Sequence, residues 1–387
     1  MTFNPQLRIP GPTPLPERVV RAMSRPMVDH RGSEFAAVLG EITEGAKRVF
    51  KTSADLLLLT ASGSGGLESA VANLVSPGDE VVAVIVGNFG ERFAAIAEAY
   101  GCNLVKLEYE WGQPASPEDL RATLKAHPDA RVVLITHNET STSLTNPLRE
   151  LAAVVREADR VCVVDGVSSI SSIPIETDAW GVDVAVSGSQ KGWMAPPGLA
   201  LVAVGERAWE QQARATAPRF YFDWKAAKEF LAKGATPFTP AVSVFYAMQE
   251  GIRMLEEEGL ENVYSRHRRL ADATAAGLQA LGFRLFAAEG FRSATVTGAT
   301  PPEGLDVSAF RKLLNQKYGV VIAGGQGKMT GKMIRVGHLG AVSEGDVVQV
   351  LWAIEQALED LDIAPAEGKG LAAAGVVLSR EGHLATA

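Results

Sequence analysis

Four short segments of this 387-residue sequence carry side chains that do chemistry when they are withdrawn from water. Lys191 stands in Ser187-Gly188-Ser189-Gln190-Lys191, after the apolar run Asp183–Val186 and just before Trp193-Met194-Ala195-Pro196-Pro197. A lysine desolvated by such neighbours has a lowered pKa, and its neutral amine forms imines with carbonyl compounds. The ordinary alternative is a surface lysine whose stem packs on Trp193. Asp165 closes the run Val161-Cys162-Val163-Val164. A carboxylate there either caps a turn before Ser168 and Ser169 or holds a protonated ring nitrogen, since a buried charge needs a partner. Ser62-Gly63-Ser64-Gly65-Gly66 lies between a Leu-rich run and a helical one. It is a tight strand–helix turn or a phosphate cradle, with helix amides aimed at the anion. It has neither the Gly-Lys-Ser/Thr of a P-loop nor the last glycine of a dinucleotide fingerprint, where Glu68 stands. Finally, Arg335 in Ile334-Arg335-Val336-Gly337 offers a fork for a carboxylate or a structural salt bridge.

Each segment alone is ambiguous, but the set is specific. A lysine for an imine, an acid for a ring nitrogen, a loop for phosphate and an arginine for a carboxylate are what pyridoxal phosphate and an amino acid require.

Such residues must be placed by rigid elements, and the pattern supplies them. Apolar runs at 56–60, 81–87, 104–109, 131–136, 160–165, 183–187 and 199–204 alternate with helical runs at 67–74, 91–100, 120–126 and 148–158. Continuous Val/Ile/Leu stretches predict strands buried on both faces, and intervening helices predict a mostly parallel seven-stranded α/β sheet. Ligands of such sheets bind at the carboxyl ends of the strands, where Ser62–Ser64, Asp165 and Lys191 fall. Before the sheet, Ser33 followed by Glu34 predicts a helix N-cap, with Phe35, Val38, Leu39, Ile42 and Val49 at helical spacing. A helical stretch over 241–281, broken near Gly259, leads into a smaller α+β pattern. The expected division is a large domain over 1–260, a small C-terminal domain over 261–365, and a weakly patterned Ala/Gly-rich tail over 366–387.

Composition removes other classes. The net charge is −8 with no basic cluster, which argues against a nucleic-acid surface. No apolar run approaches the roughly 20 residues that cross a bilayer. The first residues hold no basic and apolar export signal, so a cytoplasmic protein is expected. Cys102 and Cys162, with six histidines and no HExxH pair, predict no metal site.

Over nearly its whole length the sequence resembles the class V aminotransferases of the fold type I pyridoxal-phosphate enzymes, and within them the alanine–glyoxylate and serine–pyruvate group. The most specific match is Val164-Asp165-Gly166-Val167-Ser168-Ser169 followed, 26 residues after Asp165, by Lys191 in Ser-Gly-Ser-Gln-Lys. The resemblance implies that Lys191 bonds to the cofactor aldehyde and then shuttles the proton, and that Asp165 keeps the pyridine nitrogen protonated. It assigns Ser62, Gly63, Ser64 and Gln190 to the phosphate and Thr140, in His137-Asn138-Glu139-Thr140-Ser141-Thr142, to the phenolic oxygen. Phe89 takes the place of the ring-stacking aromatic, which is tryptophan in the alanine–glyoxylate enzymes. Thr236 and Thr239 match a segment that reaches the neighbouring subunit's phosphate, implying a homodimer with each active site at the subunit interface. Arg335 would bind the α-carboxylate, with Gly11 and Thr13 lining the substrate pocket.

The resemblance implies ping-pong transfer of an amino group from serine or alanine to glyoxylate or pyruvate. An aspartate aminotransferase and a serine lyase remain open on the same fold. Desulfuration is disfavoured, because it needs a reactive cysteine on a loop and Cys162 lies inside an apolar run. A non-catalytic partner subunit is disfavoured by the complete cofactor set. Some similar sequences carry the label of a soluble hydrogenase small subunit, but two separated cysteines do not make a clustered metal centre.

Overall fold

A computed structural model describes residues 5–365 and 367–379. All seven expected runs form one sheet, in the order Asp55–Leu59, Ala200–Val204, Val184–Gly188, Val161–Asp165, Val132–Thr136, Glu80–Ile85 and Asn103–Glu108. Ala200–Val204 runs antiparallel to both of its neighbours. The pairs from Val184–Gly188 out to Asn103–Glu108 are parallel. Alternate residues of each strand feed two different apolar clusters. Leu56, Leu58, Val82, Val84 and Val164 enter one; Leu57, Leu59, Val81, Ala83 and Val163 enter the other. Helices cover both faces, so the middle positions of the inner strands are mostly apolar, and that is why the runs read as continuous.

The smaller sheet has the order Gln6–Arg8, Val320–Gly324, Ile334–Gly337, Val296–Thr300, Arg284–Leu285 and its own apolar cluster. Its first strand corrects the expected division. Residues 6–8 pair in parallel with Val320–Ile322 rather than joining the large sheet. Gln6 donates to Asp346 at 2.8 Å and Arg8 forms an ion pair with the same carboxylate. Three residues flanked by prolines show no period, and their partners lie over 300 positions away. The tail also differs from its expectation where it is described. Lys369–Leu378 is a helix, and the N–H groups of Gly370 and Leu371 donate to Glu355 at 2.7 and 3.1 Å. Its packing uses small residues: Ala374 is fully buried, and a side chain at Gly370 would meet Leu281. Residues 366 and 380–387 of the tail lie outside the described ones.

One cap moves by a residue. Ser33 is the first helical residue of Ser33–Phe50 and Gly32 holds the cap position, with no side-chain cap. The break near Gly259 is real: that glycine has φ +80° between Val242–Glu258 and Leu260–Ala280, a left-handed conformation that a Cβ disfavours. Among the described residues no helix is long and apolar enough to cross a membrane.

Candidate active site

Strand ends deliver the chemistry to one edge of the large sheet. Asp55–Leu59 leads to Ser62–Ser64, Glu80–Ile85 to Phe89, Val132–Thr136 to Thr140, and Val184–Gly188 to Gln190 and Lys191, while Val161–Asp165 ends on Asp165 itself. All of these residues line one cleft of about 190 Å³.

Ser62 caps the helix Gly63–Leu74 by accepting from the Gly65 N–H at 3.4 Å. The N–H groups of Gly63 and Ser64 in that first turn meet no acceptor among the described residues, which leaves donors for an anion. Gly63 must lack a side chain, because a Cβ would lie 2.8 Å from Val167. The Gln190 Oε1 is buried with no partner among the described residues.

Asp165 is 5% exposed, and among the described residues its carboxylate accepts only from the Val167 N–H, at 3.0 Å. Burial pushes its pKa up to about 7; Glu139 adds repulsion, while Lys191 and Arg92 offset part of the rise. Such a group calls for a cationic donor that the protein does not supply, and a pyridine nitrogen carrying a proton is one.

Lys191 is partly buried, and its ammonium donates to the Pro10 carbonyl. Its pKa falls to about 8: desolvation outweighs the attraction of Asp165, and Arg335 and Arg92 add repulsion. The neutral nucleophile is therefore available well below the usual lysine range. Cofactor uptake by the cofactor-free chain is expected to accelerate through about pH 8 and then level off. Stopped-flow absorbance across that range checks this, and a rate still climbing into the ordinary lysine range would contradict it.

Arg335 is 5% exposed and forms no ion pair with the described residues. Its Nε donates to the Gly324 carbonyl at 2.8 Å and its Nη1 to the Thr140 carbonyl at 2.9 Å. Burial lowers its pKa to about 10, with Glu139 the main opposing attraction. The salt-bridge alternative is thus not what the fold builds. The guanidinium is tied to Thr140, which lines the cleft, although Arg335 is not itself among the lining residues, and it has no anion among the described residues.

The N-terminal segment lies against Lys191, although neither Gly11 nor Thr13 is among the residues lining the cleft. Gly11 abuts the reactive lysine: a Cβ there would lie 2.6 Å from Lys191 Nζ, at φ +120°. Thr13 instead holds the lysine backbone, its N–H donating to the Gln190 carbonyl at 3.1 Å and its hydroxyl to the Lys191 carbonyl at 3.2 Å. Gly11→Ala is expected to cut kcat about tenfold or more, since a strained backbone of ~1–2 kcal/mol and a displaced amine act together. Steady-state kinetics beside a melting curve would check this. Thr236 and Thr239 do not line the cleft of their own chain: the Thr236 hydroxyl donates to the Phe238 carbonyl at 2.8 Å, and Thr239 is exposed.

Residues 7–348 match the family model Aminotransferase class-V. The chain belongs to the class V aminotransferases. It is an enzyme of fold type I, and its cofactor is pyridoxal phosphate, which the unpartnered amides, the isolated Asp165 and the desolvated Lys191 fit. Three relatives show the spread of names on this architecture. A soluble hydrogenase small subunit of Synechococcus sp. is 39% identical, covering 98% of this chain and all of the relative. An L-aspartate–glyoxylate aminotransferase of Paracoccus denitrificans is 37% identical over 97% and 96%, respectively. A serine–glyoxylate aminotransferase of Methylorubrum extorquens is 36% identical over 98% and 97%. Among solved structures, the ureidoglycine–glyoxylate aminotransferase of Bacillus subtilis superposes with a TM-score of 0.92 at 32% identity, covering 98% of this chain and 99% of that one.

The sequence reading of this class V aminotransferase missed two cleft residues. Arg92 lies with its guanidinium 4.8 Å from the Phe89 ring centroid and within 3.5 Å of the Ser64 hydroxyl. Its signal was available, because it follows Phe89 by three residues on the helix Asn88–Ala99 and so shares its face. Asn138, in the cleft wall, donates to Ser168 and Thr295, each at 2.9 Å, tying the turn after Val161–Asp165 to the residue before Val296–Thr300 of the small sheet. Among the described residues no cluster of three or more His, Cys, Asp or Glu is placed to hold a metal, and both cysteines are buried and free.

Proposed function

We propose that this aminotransferase moves the amino group of a small amino acid, serine or alanine, to glyoxylate or pyruvate by a ping-pong route. The observation that carries the reading is the buried Arg335, held by two carbonyls close enough to Lys191 to repel its ammonium, and without an ion pair among the described residues. It binds the α-carboxylate common to both substrates and so fixes the reacting carbon relative to Lys191. Pyridoxal phosphate supplies the electron sink when bound. Asp165 holds the proton on its ring nitrogen, Lys191 takes and returns the proton at the substrate carbon, and Thr140 meets the phenolic oxygen. Phe89 covers the ring face, while the Ser62–Ser64 turn and Gln190 hold the phosphate. Names of relatives that include glyoxylate support it as the acceptor.

Aspartate is the second reading for the donor. Arg92 favours it, as another cation lining the cleft with no ion pair among the described residues. The bound cofactor's visible absorbance should fade on adding serine or alanine and return with glyoxylate. If only aspartate produces that cycle, the small-donor reading is wrong; if serine yields keto acid over many turnovers, beyond one equivalent per active site, without any acceptor, the enzyme is a lyase.

The same reading divides the chain near residue 260 and makes the enzyme a homodimer in the cytoplasm. Thr239 is exposed and does not line the cleft of its own chain, and the preceding residue, Phe238, packs on Phe220, which is 81% exposed, with ring centroids 5.6 Å apart. A sedimentation profile of a monomer with full activity would overturn the shared site.

A further inference from the structure

Glu139 lies beneath the cleft, fully buried. Its Oε2 accepts from the N–H groups of Phe89 and Gly90, each at 3.0 Å. Its Oε1 accepts from the Ser141 N–H at 3.0 Å and from the Ser141 hydroxyl. The same hydroxyl oxygen accepts from the Asn88 N–H at 2.9 Å. These are the first-turn amides of the helix Asn88–Ala99, which has glycine at its cap position and no side-chain cap of its own. A residue some fifty positions away therefore performs the capping that local sequence leaves undone. Gly87 makes the space, since a Cβ there would sit 2.5 Å from Glu139 Cγ and 2.6 Å from its carboxyl carbon.

A serine or an amide would satisfy helix amides without desolvating a charge, so capping alone does not account for a carboxylate in this position. The neighbours suggest what the charge serves. Phe89 lies on the clamped turn and presents its ring to the cleft. Thr140, the next residue, gives its carbonyl to Arg335, for which Glu139 is the main source of attraction. One buried anion thus ties the cofactor's stacking ring to the substrate's guanidinium.

We propose that Glu139 is a positioning residue: it seats the Phe89 ring on the cofactor and, through Thr140, sets the Arg335 guanidinium at the substrate carboxylate. The proposal rests on the reading that Phe89 faces the cofactor ring, and the test separates the two. Cofactor affinity by equilibrium dialysis and the visible circular dichroism of the bound cofactor are measured for Glu139→Gln, Phe89→Ala and the double variant, beside steady-state kinetics. Glu139→Gln is expected to weaken cofactor affinity about tenfold, the size of a lost hydrogen bond to a charged group, and to change the dichroic band. The KM for the amino acid should rise by more than kcat falls. Because Glu139 acts through Phe89, the two losses of affinity should not add in the double variant. Gly87→Ala, which pushes the carboxylate off the amides from the other side, should reproduce the effect and decides the matter if Glu139→Gln does not fold. An unchanged dichroic band with affinity within about twofold, or losses that add in full, overturns the proposal. A Phe89→Ala variant with unaltered affinity and dichroism instead overturns the stacking reading.

Discussion

Lys191→Ala is expected to lower the rate of amino transfer by about 10³-fold or more, within the range lost with a positioned proton-transfer group. Two roles disappear together. Borohydride, which fixes the cofactor to the chain in the parent enzyme, should attach nothing to the variant. Proton transfer at the substrate carbon then depends on water. Folding should be retained, because the lysine makes only one side-chain hydrogen bond, to the Pro10 carbonyl, and its removal deletes a desolvated cation. Rates by coupled assay, with mass spectrometry after reduction, give the result. A variant within tenfold of the parent would move the proton-transfer role to another residue.

Asp165→Asn should produce opposite effects on activity and on the stability of the cofactor-free chain. In the folded chain the carboxyl pKa is raised from 3.8 to about 7. The native state therefore holds the proton more tightly than the unfolded chain does, so stability declines as pH rises through that window and the full penalty applies above about 7. A shift of that size corresponds to roughly 4 kcal/mol. Asparagine carries no such penalty, so the cofactor-free variant should resist denaturant better than the parent above pH 7 and lose the advantage below about pH 4. Activity should move the other way. An amide cannot hold the proton on the ring nitrogen, and losing a hydrogen bond between charged groups of ~1.5–3 kcal/mol predicts a fall of about 10- to 150-fold. Denaturant curves at several pH values and kcat for the holoenzyme measure both arms. A variant less stable at every pH would make Asp165 a structural residue first.

Much of this site was legible because strand ends are legible. Asp165 and Lys191 each close or follow a continuous apolar run, and a buried strand has only one direction in which to place a polar residue. Arg335 was named, but whether it was paired could not be read. That depended on Gly324 and Thr140 offering carbonyls rather than carboxylates, and Thr140 comes from a strand end of the other sheet. Thr13 was assigned to the pocket and turned instead to the lysine backbone, because a hydroxyl's direction follows from packing and not from its motif.

What the sequence determined by itself was the large sheet and the placing of the Ser62–Ser64 turn, Asp165 and Lys191 at its strand ends, all of which rest on local periodicity and on polar residues interrupting it. The joint roles of Asp165 and Lys191 came from the family resemblance. Only the tertiary structure decided that residues 6–8 complete the small sheet and that Gly11 must stay bare beside Lys191. It also decided that Glu139 caps a helix it does not belong to. These are contacts between segments far apart in the chain. Their energies come from desolvated charge and close approach, which no run of neighbouring residues records.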